Sequence, residues 1–327
     1  MKKLITVCLP TYNASRFIGE TLESLCNQTY KNIEILVGDN ASTDDTYEII
    51  KKYQEKDSRV SYYKNEENLG YSENCNKLIS HSKGEYIAIY HSDDIYDLTI
   101  IEKEVKALDE NLDLAGVFTL ANQIDEKGEN SEEMKCPLDL KGEYLYKINV
   151  HEFIDNVLLK DGSPLICPTS MIRKKIYEEM GGYDLVLKYI EDQDMWARIL
   201  NKYPLGIISE KLINYRKHES QGSSYYLDIA RDDTSVILRH MESFIEKNNY
   251  REEYDEKINY SKALDWMVLA NYSIIMNDYE SFKKRIIKSK NYYQLPLKNK
   301  IGLIQNINTK PLSYLIAKVS FLLSHKD

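Results

Sequence analysis

Two adjacent carboxylates close a run that reads as a buried strand. Tyr86-Ile87-Ala88-Ile89-Tyr90 is apolar and aromatic, Gly84 interrupts the chain just before it, and His91-Ser92-Asp93-Asp94 follows. A strand apolar on both faces belongs in a parallel sheet, and such sheets bind ligands beyond the carboxyl ends of their strands. Asp93 and Asp94 repel each other there unless a cation or a hydrogen-bonding ligand joins them. Mg²⁺ or Mn²⁺ is the natural cation, taking a few carboxylates and completing its shell with phosphate oxygens and water. The plainer alternative is a solvated turn with an Asp capping the next helix. Taken alone, the pair favours that alternative.

The elements around the pair make a stronger case. Leu4 to Leu9 alternates around Ile5, Val7 and Leu9 and stops at Pro10-Thr11-Tyr12-Asn13. A helix follows, with Asn13 or Ser15 as its cap and Phe17, Ile18, Leu22, Leu25 and Cys26 on one face. A strand at Ile33 to Val37 leads to the polar corner Gly38-Asp39-Asn40-Ala41-Ser42-Thr43-Asp44-Asp45-Thr46, where Ser42 and Asp45 have the spacing of a capping box. A second helix carries Ile49, Ile50 and Tyr53 inward. After Val60 to Tyr63 come a turn at Asn68-Leu69-Gly70 and a short helix through Leu78 and Ile79. This βαβαβαβ order predicts an α/β fold with a parallel, doubly wound sheet. Pro10, Asp39 and Asp93 then lie on one rim of it.

Taken in order, these motifs resemble family 2 of the glycosyltransferases, inverting enzymes with the GT-A fold. The resemblance is carried by Cys8-Leu9-Pro10-Thr11-Tyr12-Asn13, Asp39-Asn40-Ala41-Ser42-Thr43-Asp44, Gly84-Glu85-Tyr86 and Ser92-Asp93-Asp94. It continues through Gly181-Gly182-Tyr183-Asp184, Glu191-Asp192-Gln193-Asp194-Met195-Trp196-Ala197-Arg198 and Tyr215-Arg216-Lys217-His218. It implies a mostly parallel GT-A sheet with helices on both faces over residues 1–222, and a smaller helical region over 223–327. Asp39 is then the reader of a nucleotide base, accepting the N3–H of uracil or thymine, with Pro10, Thr11, Tyr12 and Asn68 lining the same site. Singly, Asp39 reads equally as a turn residue and Tyr12 as a core aromatic.

By the same resemblance Asp93 holds the Mn²⁺ or Mg²⁺ that bridges a diphosphate. Asp94 assists through water or ribose contacts, and His218 is a third protein group at the metal. Many relatives carry an Asp two residues before the metal-binding one, where this chain has His91. Neutral imidazole ligates Mn²⁺ without offsetting its charge.

Displacing a nucleoside diphosphate with inversion needs a base for the acceptor hydroxyl, and Asp192 fits that role. The alternative for this acidic run is a helix N-terminus favoured by the macrodipole. Glu191 fits a supporting role at the acceptor or at the helix start.

Composition bounds the rest. The 327 residues suffice for a catalytic domain and a smaller appendage, and the five cysteines form no C-x-x-C pair. With no secretory signal pattern at Met1-Lys2-Lys3, the expectation is a cytoplasmic enzyme. No G-x-G and no phosphate-binding P-loop occurs.

The net charge is −9, yet residues 281–327 hold ten Lys or Arg against Asp327 alone, leaving −18 on the first 280 residues. Within that tail Leu312, Leu315, Ile316, Val319, Leu322 and Leu323 share one helical face after Pro311. Such a tail suits peripheral contact with an anionic membrane, or equally a packing helix or a homodimer contact. No nucleic-acid partner is expected, because the acidic catalytic region would be repelled.

The leading expectation is an inverting transferase of surface-glycan synthesis, with a UDP- or dTDP-sugar donor and a glycan or lipid-linked acceptor. A catalytically silent sugar-nucleotide or glycan-binding member of the same fold is the alternative, raised by His91.

Overall fold

The structure is a computed structural model that describes residues 2–131, 134, 136–159, 163–219, 221, 233–276 and 278–293, with the side chains of 274 and 275 left aside. The chain divides into two compact units, Met1–Tyr226 and Leu227–Asp327.

In the first unit, β1 (Ile5–Thr11), α1 (Ile18–Cys26), β2 (Ile33–Asp39), α2 (Thr46–Lys56), β3 (Val60–Lys64), α3 (Tyr71–His81) and β4 (Tyr86–Ile89) follow the expected alternation. A short β5 (Ile95–Tyr96), α4 (Ile100–Glu110), β6 (Gly116–Ile124), β7 (Leu145–Ile148) and α5 (Val150–Leu159) come next. They are followed by β8 (Ser170–Arg173), α6 (Lys174–Met180), α7 (Glu191–Leu200) and β9 (Leu205–Arg216).

The strands form one sheet in the order β3-β2-β1-β4-β8-β6-β9-β5, with β7 also paired to β9. The pairings among β3, β2, β1 and β4 are all parallel. β8 then enters antiparallel to both β4 and β6, and β6 pairs parallel with β9. Odd-numbered residues of β1 and β2 (Ile5, Val7, Leu9, Ile35, Val37) pack with Ile18, Leu22 and Leu25 of α1 and with Leu108 of α4. α3 packs on β1 and β2. Burial on both faces explains why these strands are continuously apolar.

Gly84 is required by close approach, since a Cβ there would sit 2.5 Å from the Thr6 backbone nitrogen. The same contact lets the Gly84 N–H donate to Thr6 Oγ1 at 2.8 Å.

Several local expectations are corrected. β1 runs on to Thr11. α1 starts at Ile18 behind Phe17, with no side-chain cap bond. Asn13 instead takes φ +47°, and its Oδ1 accepts the Thr43 N–H at 2.9 Å. The Ser42/Asp45 box does not form. Asp44 Oδ1 accepts the Thr46 N–H, and Ser42 Oγ accepts the Asn13 N–H. The polar side chains stitch two loops together because both loops leave the sheet side by side: Thr11 stands opposite Asp39 in the β1–β2 register.

In the second unit, α8 (Val236–Lys247), α9 (Arg251–Ile275) and α10 (Tyr279–Tyr292) are helical. Trp266, Met267, Leu269 and Ala270 are buried, and Lys288 lies 4.1 Å over the Trp266 ring. The expected apolar stripe from Leu312 to Leu323 lies outside the described residues. Among the described residues no helix is long and apolar enough to cross a membrane.

Candidate active site

Asp39 ends β2 fully buried. Its Oδ2 accepts the Tyr62 hydroxyl at 2.6 Å and its Oδ1 accepts the Ser42 N–H at 2.8 Å. Burial, and then the Asp39 carboxylate, push the Tyr62 phenol up, so Tyr62 stays a donor. Each carboxylate oxygen keeps a second lone pair for a ligand N–H. Around Asp39, Pro10 and Thr11 are buried at the end of β1 and Tyr12 is half exposed. Asn68 Oδ1 accepts from Asn40 Nδ2 and from the Gly70 N–H, both at 2.9 Å, so this side chain shapes the turn leading into α3.

Beyond β4, His91, Asp93 and Asp94 present ligand atoms that all lie within 4.8 Å of one another. His218 joins them, its Nε2 lying 2.9 Å from Asp93 Oδ2. Burial would raise Asp93, but the His218 hydrogen bond and the neighbouring imidazoles hold it below the usual carboxylate range. Asp94 goes the other way. Burial, and then the charge of Asp93, push it well up. Its Oδ1 accepts the Arg216 N–H at 2.8 Å, while its Oδ2 is buried with no partner. Two adjacent carboxylates with one buried oxygen left without a partner are what a divalent cation completes. Asp94 is fully buried, so it stands behind Asp93 rather than on the rim.

Asp192 opens α7 together with Glu191. Burial raises its carboxyl to about 6, against hydrogen bonds from the Gln193 backbone N–H and Nε2 that work to lower it. Glu191 is raised too, by burial. Asp194 faces elsewhere. It pairs with Arg198 Nε at 2.6 Å, and that guanidinium donates to the carbonyls of Met180 and Gly182. The Gly181-Gly182 corner, with φ of +78° and +79°, is thereby tied to α7. The Asp192 charge also helps push up the Cys167 thiol, after burial. Cys167 Sγ lies 3.3 Å from the Tyr71 hydroxyl, which lies 3.2 Å from His91 Nε2. Tyr71, the first residue of α3, therefore joins the cation cluster to Cys167.

The family model for Glycosyl transferase family 2 matches residues 6–181, more than half of the chain. This chain belongs to that family. An uncharacterized glycosyltransferase of Methanocaldococcus jannaschii is 36% identical over 218 residues, 66% of this chain and 71% of the relative. An uncharacterized glycosyltransferase of Haemophilus influenzae is 30% identical over 242 residues, 72% of each chain. Among solved structures, S. aureus TarS 1–349 in complex with UDP-GlcNAc is similar with a TM-score of 0.59 at 17% identity, covering 90% of this chain and 93% of that one. The mannosyltransferase PcManGT from Pyrobaculum calidifontis, in complex with GDP-Man and Mn²⁺, gives 0.54 at 14% identity, covering 100% and 82%. The fold is that of the GT-A glycosyltransferases.

Two residues at the site of this family 2 glycosyltransferase escaped sequence reasoning. Arg216, at the end of β9, is fully buried. Its Nε donates to the Asp93 carbonyl at 2.9 Å, its Nη1 to the Asp125 and Glu126 carbonyls, and its Nη2 to Glu20 at 2.9 Å. It lies 4.8 Å over the Phe17 ring, which also packs 4.8 Å from the His218 ring. One guanidinium thus holds the carboxylate turn, the strand end before His218 and the start of the loop after β6. The signal was its place in the Tyr215-Arg216-Lys217-His218 run, two residues before His218. Asn76 on α3 is the second. It donates to the Tyr183 carbonyl and accepts the Tyr183 N–H, both at 2.8 Å, docking the glycine corner onto α3.

Proposed function

We propose that this family 2 glycosyltransferase moves a sugar from a nucleoside diphosphate donor to an acceptor hydroxyl with inversion at the anomeric carbon. The observation that carries the reading is the presence of two features in the first unit. One is the His91-Asp93-Asp94 cluster with its unpartnered buried oxygen, and the other is a carboxyl raised to about 6 at the start of α7.

Asp93 and His218, with His91, would hold Mn²⁺ or Mg²⁺ while Asp94 backs them. When bound, the cation supplies positive charge to the leaving diphosphate. Asp39 accepts the N3–H of uracil or thymine, with Thr11 and Tyr12 beside it. Asp192 takes the acceptor proton. With its carboxyl at about 6 it is roughly nine-tenths ionised at pH 7, yet more basic than an exposed aspartate. The structural neighbours named for UDP-GlcNAc and for GDP-Man with Mn²⁺ support a nucleotide-sugar donor and a divalent cation.

The deciding experiment incubates the protein with UDP- and dTDP-sugars and Mn²⁺ and measures nucleoside diphosphate release. Release that disappears on chelation and in Asp93→Ala supports the reading, and full activity after chelation would sink it. A product retaining the donor's anomeric configuration would refute the single displacement.

The acceptor is proposed to be a glycan or lipid-linked oligosaccharide of surface polysaccharide synthesis, met at the cytoplasmic membrane face. The +9 charge of residues 281–327 supports that location. Salt-sensitive binding to anionic liposomes is the measurement, and no binding at low salt would remove the membrane contact.

A further inference from the structure

The cation cluster is backed by a row of polar groups that an all-carboxylate site would not need. His91 is held on two sides: its backbone N–H donates to the Tyr96 hydroxyl at 2.7 Å, and its Nε2 lies 3.2 Å from the Tyr71 hydroxyl. Tyr71 meets the imidazole edge-on, with ring centroids 5.8 Å apart, and its hydroxyl reaches Cys167 Sγ at 3.3 Å. Two hydrogen-bond directions satisfy this row. In one, the thiol donates to Tyr71 and Tyr71 donates to Nε2, which puts the ring proton on Nδ1. In the other, Nε2–H donates to Tyr71 and Tyr71 donates to sulfur, which leaves the Nδ1 lone pair free. A cation at the cluster selects the second, because a ligating histidine holds its other ring N–H on a partner group.

We infer that His91, oriented by Tyr71, enters the cation site through Nδ1 and turns its preference from Mg²⁺ toward later first-row ions such as Co²⁺. This rests on the cation reading of Asp93 proposed above. Mg²⁺ demands an octahedron of hard oxygen donors, whereas imidazole suits the later first-row ions, whose affinity for nitrogen rises beyond Mn²⁺. His91 and His218 together give Asp93 two such neighbours, within a cluster where Asp94 retains an unpartnered buried oxygen. Tyr71 is a positioning residue here, since it acts on the site only through His91.

Co²⁺ tests this, because its visible absorption reports nitrogen ligation directly and needs no turnover. The untagged full-length chain is titrated with Co²⁺, without nucleotide and again with UDP, and Mg²⁺ is then added as competitor. The expected result is a saturable Co²⁺ spectrum that an approximately 100-fold excess of Mg²⁺ leaves in place. In His91→Asp the Mg²⁺ needed for half-displacement should fall at least about tenfold, since a carboxylate restores a hard donor. Tyr71→Phe keeps the ring but removes the acceptor for Nε2–H, and should weaken Co²⁺ binding about 10- to 100-fold with the far-UV spectrum unchanged. This variant tests the row even if His91→Asp fails to fold. Equal displacement by Mg²⁺ in wild type and His91→Asp would overturn the inference while leaving the cation reading intact. Undiminished Co²⁺ binding in Tyr71→Phe would overturn the role of Tyr71. Absence of any saturable Co²⁺ or Mg²⁺ binding in wild type would overturn the inference and the cation reading together.

Discussion

Replacing Asp192 by Asn should make the protein more stable and nearly inactive. Burial raises the Asp192 carboxyl from 3.8 to about 6, a cost to the folded state of about 3 kcal/mol whenever the group is ionised. The sign follows from proton binding. The folded chain holds this proton more tightly than the unfolded one, so the group's contribution to stability is intact below pH 3.8 and lost as pH rises through 6. An amide of the same shape removes the ionisation. It keeps the bond from the Gln193 N–H, and a flipped Gln193 offers its Oε1, which is buried without a partner, to the new amide N–H. The amide still carries part of the desolvation cost, so the expected gain at pH 7 is about 1–3 kcal/mol. Thermal unfolding of the two proteins across pH 4–7 measures it. The Asp192→Asn variant should melt several degrees higher than wild type at pH 7, and the gap should close toward pH 4. Turnover should meanwhile fall roughly 10²–10⁴-fold, the range for losing a general base. A gap that is absent, or that is equally large at pH 4, would refute the burial argument. Activity within a few-fold of wild type would refute the role of base.

Three further substitutions probe the framework. Asp39→Asn removes the charge from the proposed base contact and should weaken UDP binding in calorimetry by about 1.5–3 kcal/mol, with unchanged affinity removing Asp39 from the site. Arg216→Lys keeps a cation but loses the fork that reaches the Asp93, Asp125 and Glu126 carbonyls. It should destabilise the first unit by about 2–3 kcal/mol in urea and weaken Mn²⁺ binding, with little of the loss coming from Glu20, whose side chain is 57% exposed. Gly182→Ala places a Cβ 2.5 Å from Asn76 Oδ1 at φ +79° and should cost about 2–3 kcal/mol. Adding Asn76→Ala should fail to restore stability, because it relieves the clash but not the backbone conformation.

The parallel half of the fold was legible because β1, β2 and β4 are buried on both faces, which leaves an unbroken apolar word such as Ile35-Leu36-Val37 or Ile87-Ala88-Ile89, while β3 sits half-exposed at the edge. The antiparallel β8 was not. Ser170-Met171-Ile172-Arg173 is only four residues long, and its pairing with β4 is set by contacts more than eighty residues away in sequence. Caps were misread at Asn13 and Ser42 because their side chains bond across two loops, a partner choice that local spacing does not encode. At the site, the carboxylates announced themselves by type. Arg216 and Asn76 did not, since a buried arginine with carbonyl partners and an asparagine bonded to one backbone look like ordinary polar residues until the chain is folded.

The helix α3 has a consequence for how such an enzyme can change. Tyr71 at its first residue touches the cation end of the site, and Asn76 grips the corner that Arg198 ties to α7. Five residues of helix set those two grips roughly 7.5 Å apart along the axis. On the functional reading proposed here, the separation between leaving-group chemistry and proton abstraction is thus ruled by a helical pitch and not by loop length. The polar segment after Ile124 can then lengthen, shorten or change its residues while the ruler that spaces the reacting groups keeps its marks.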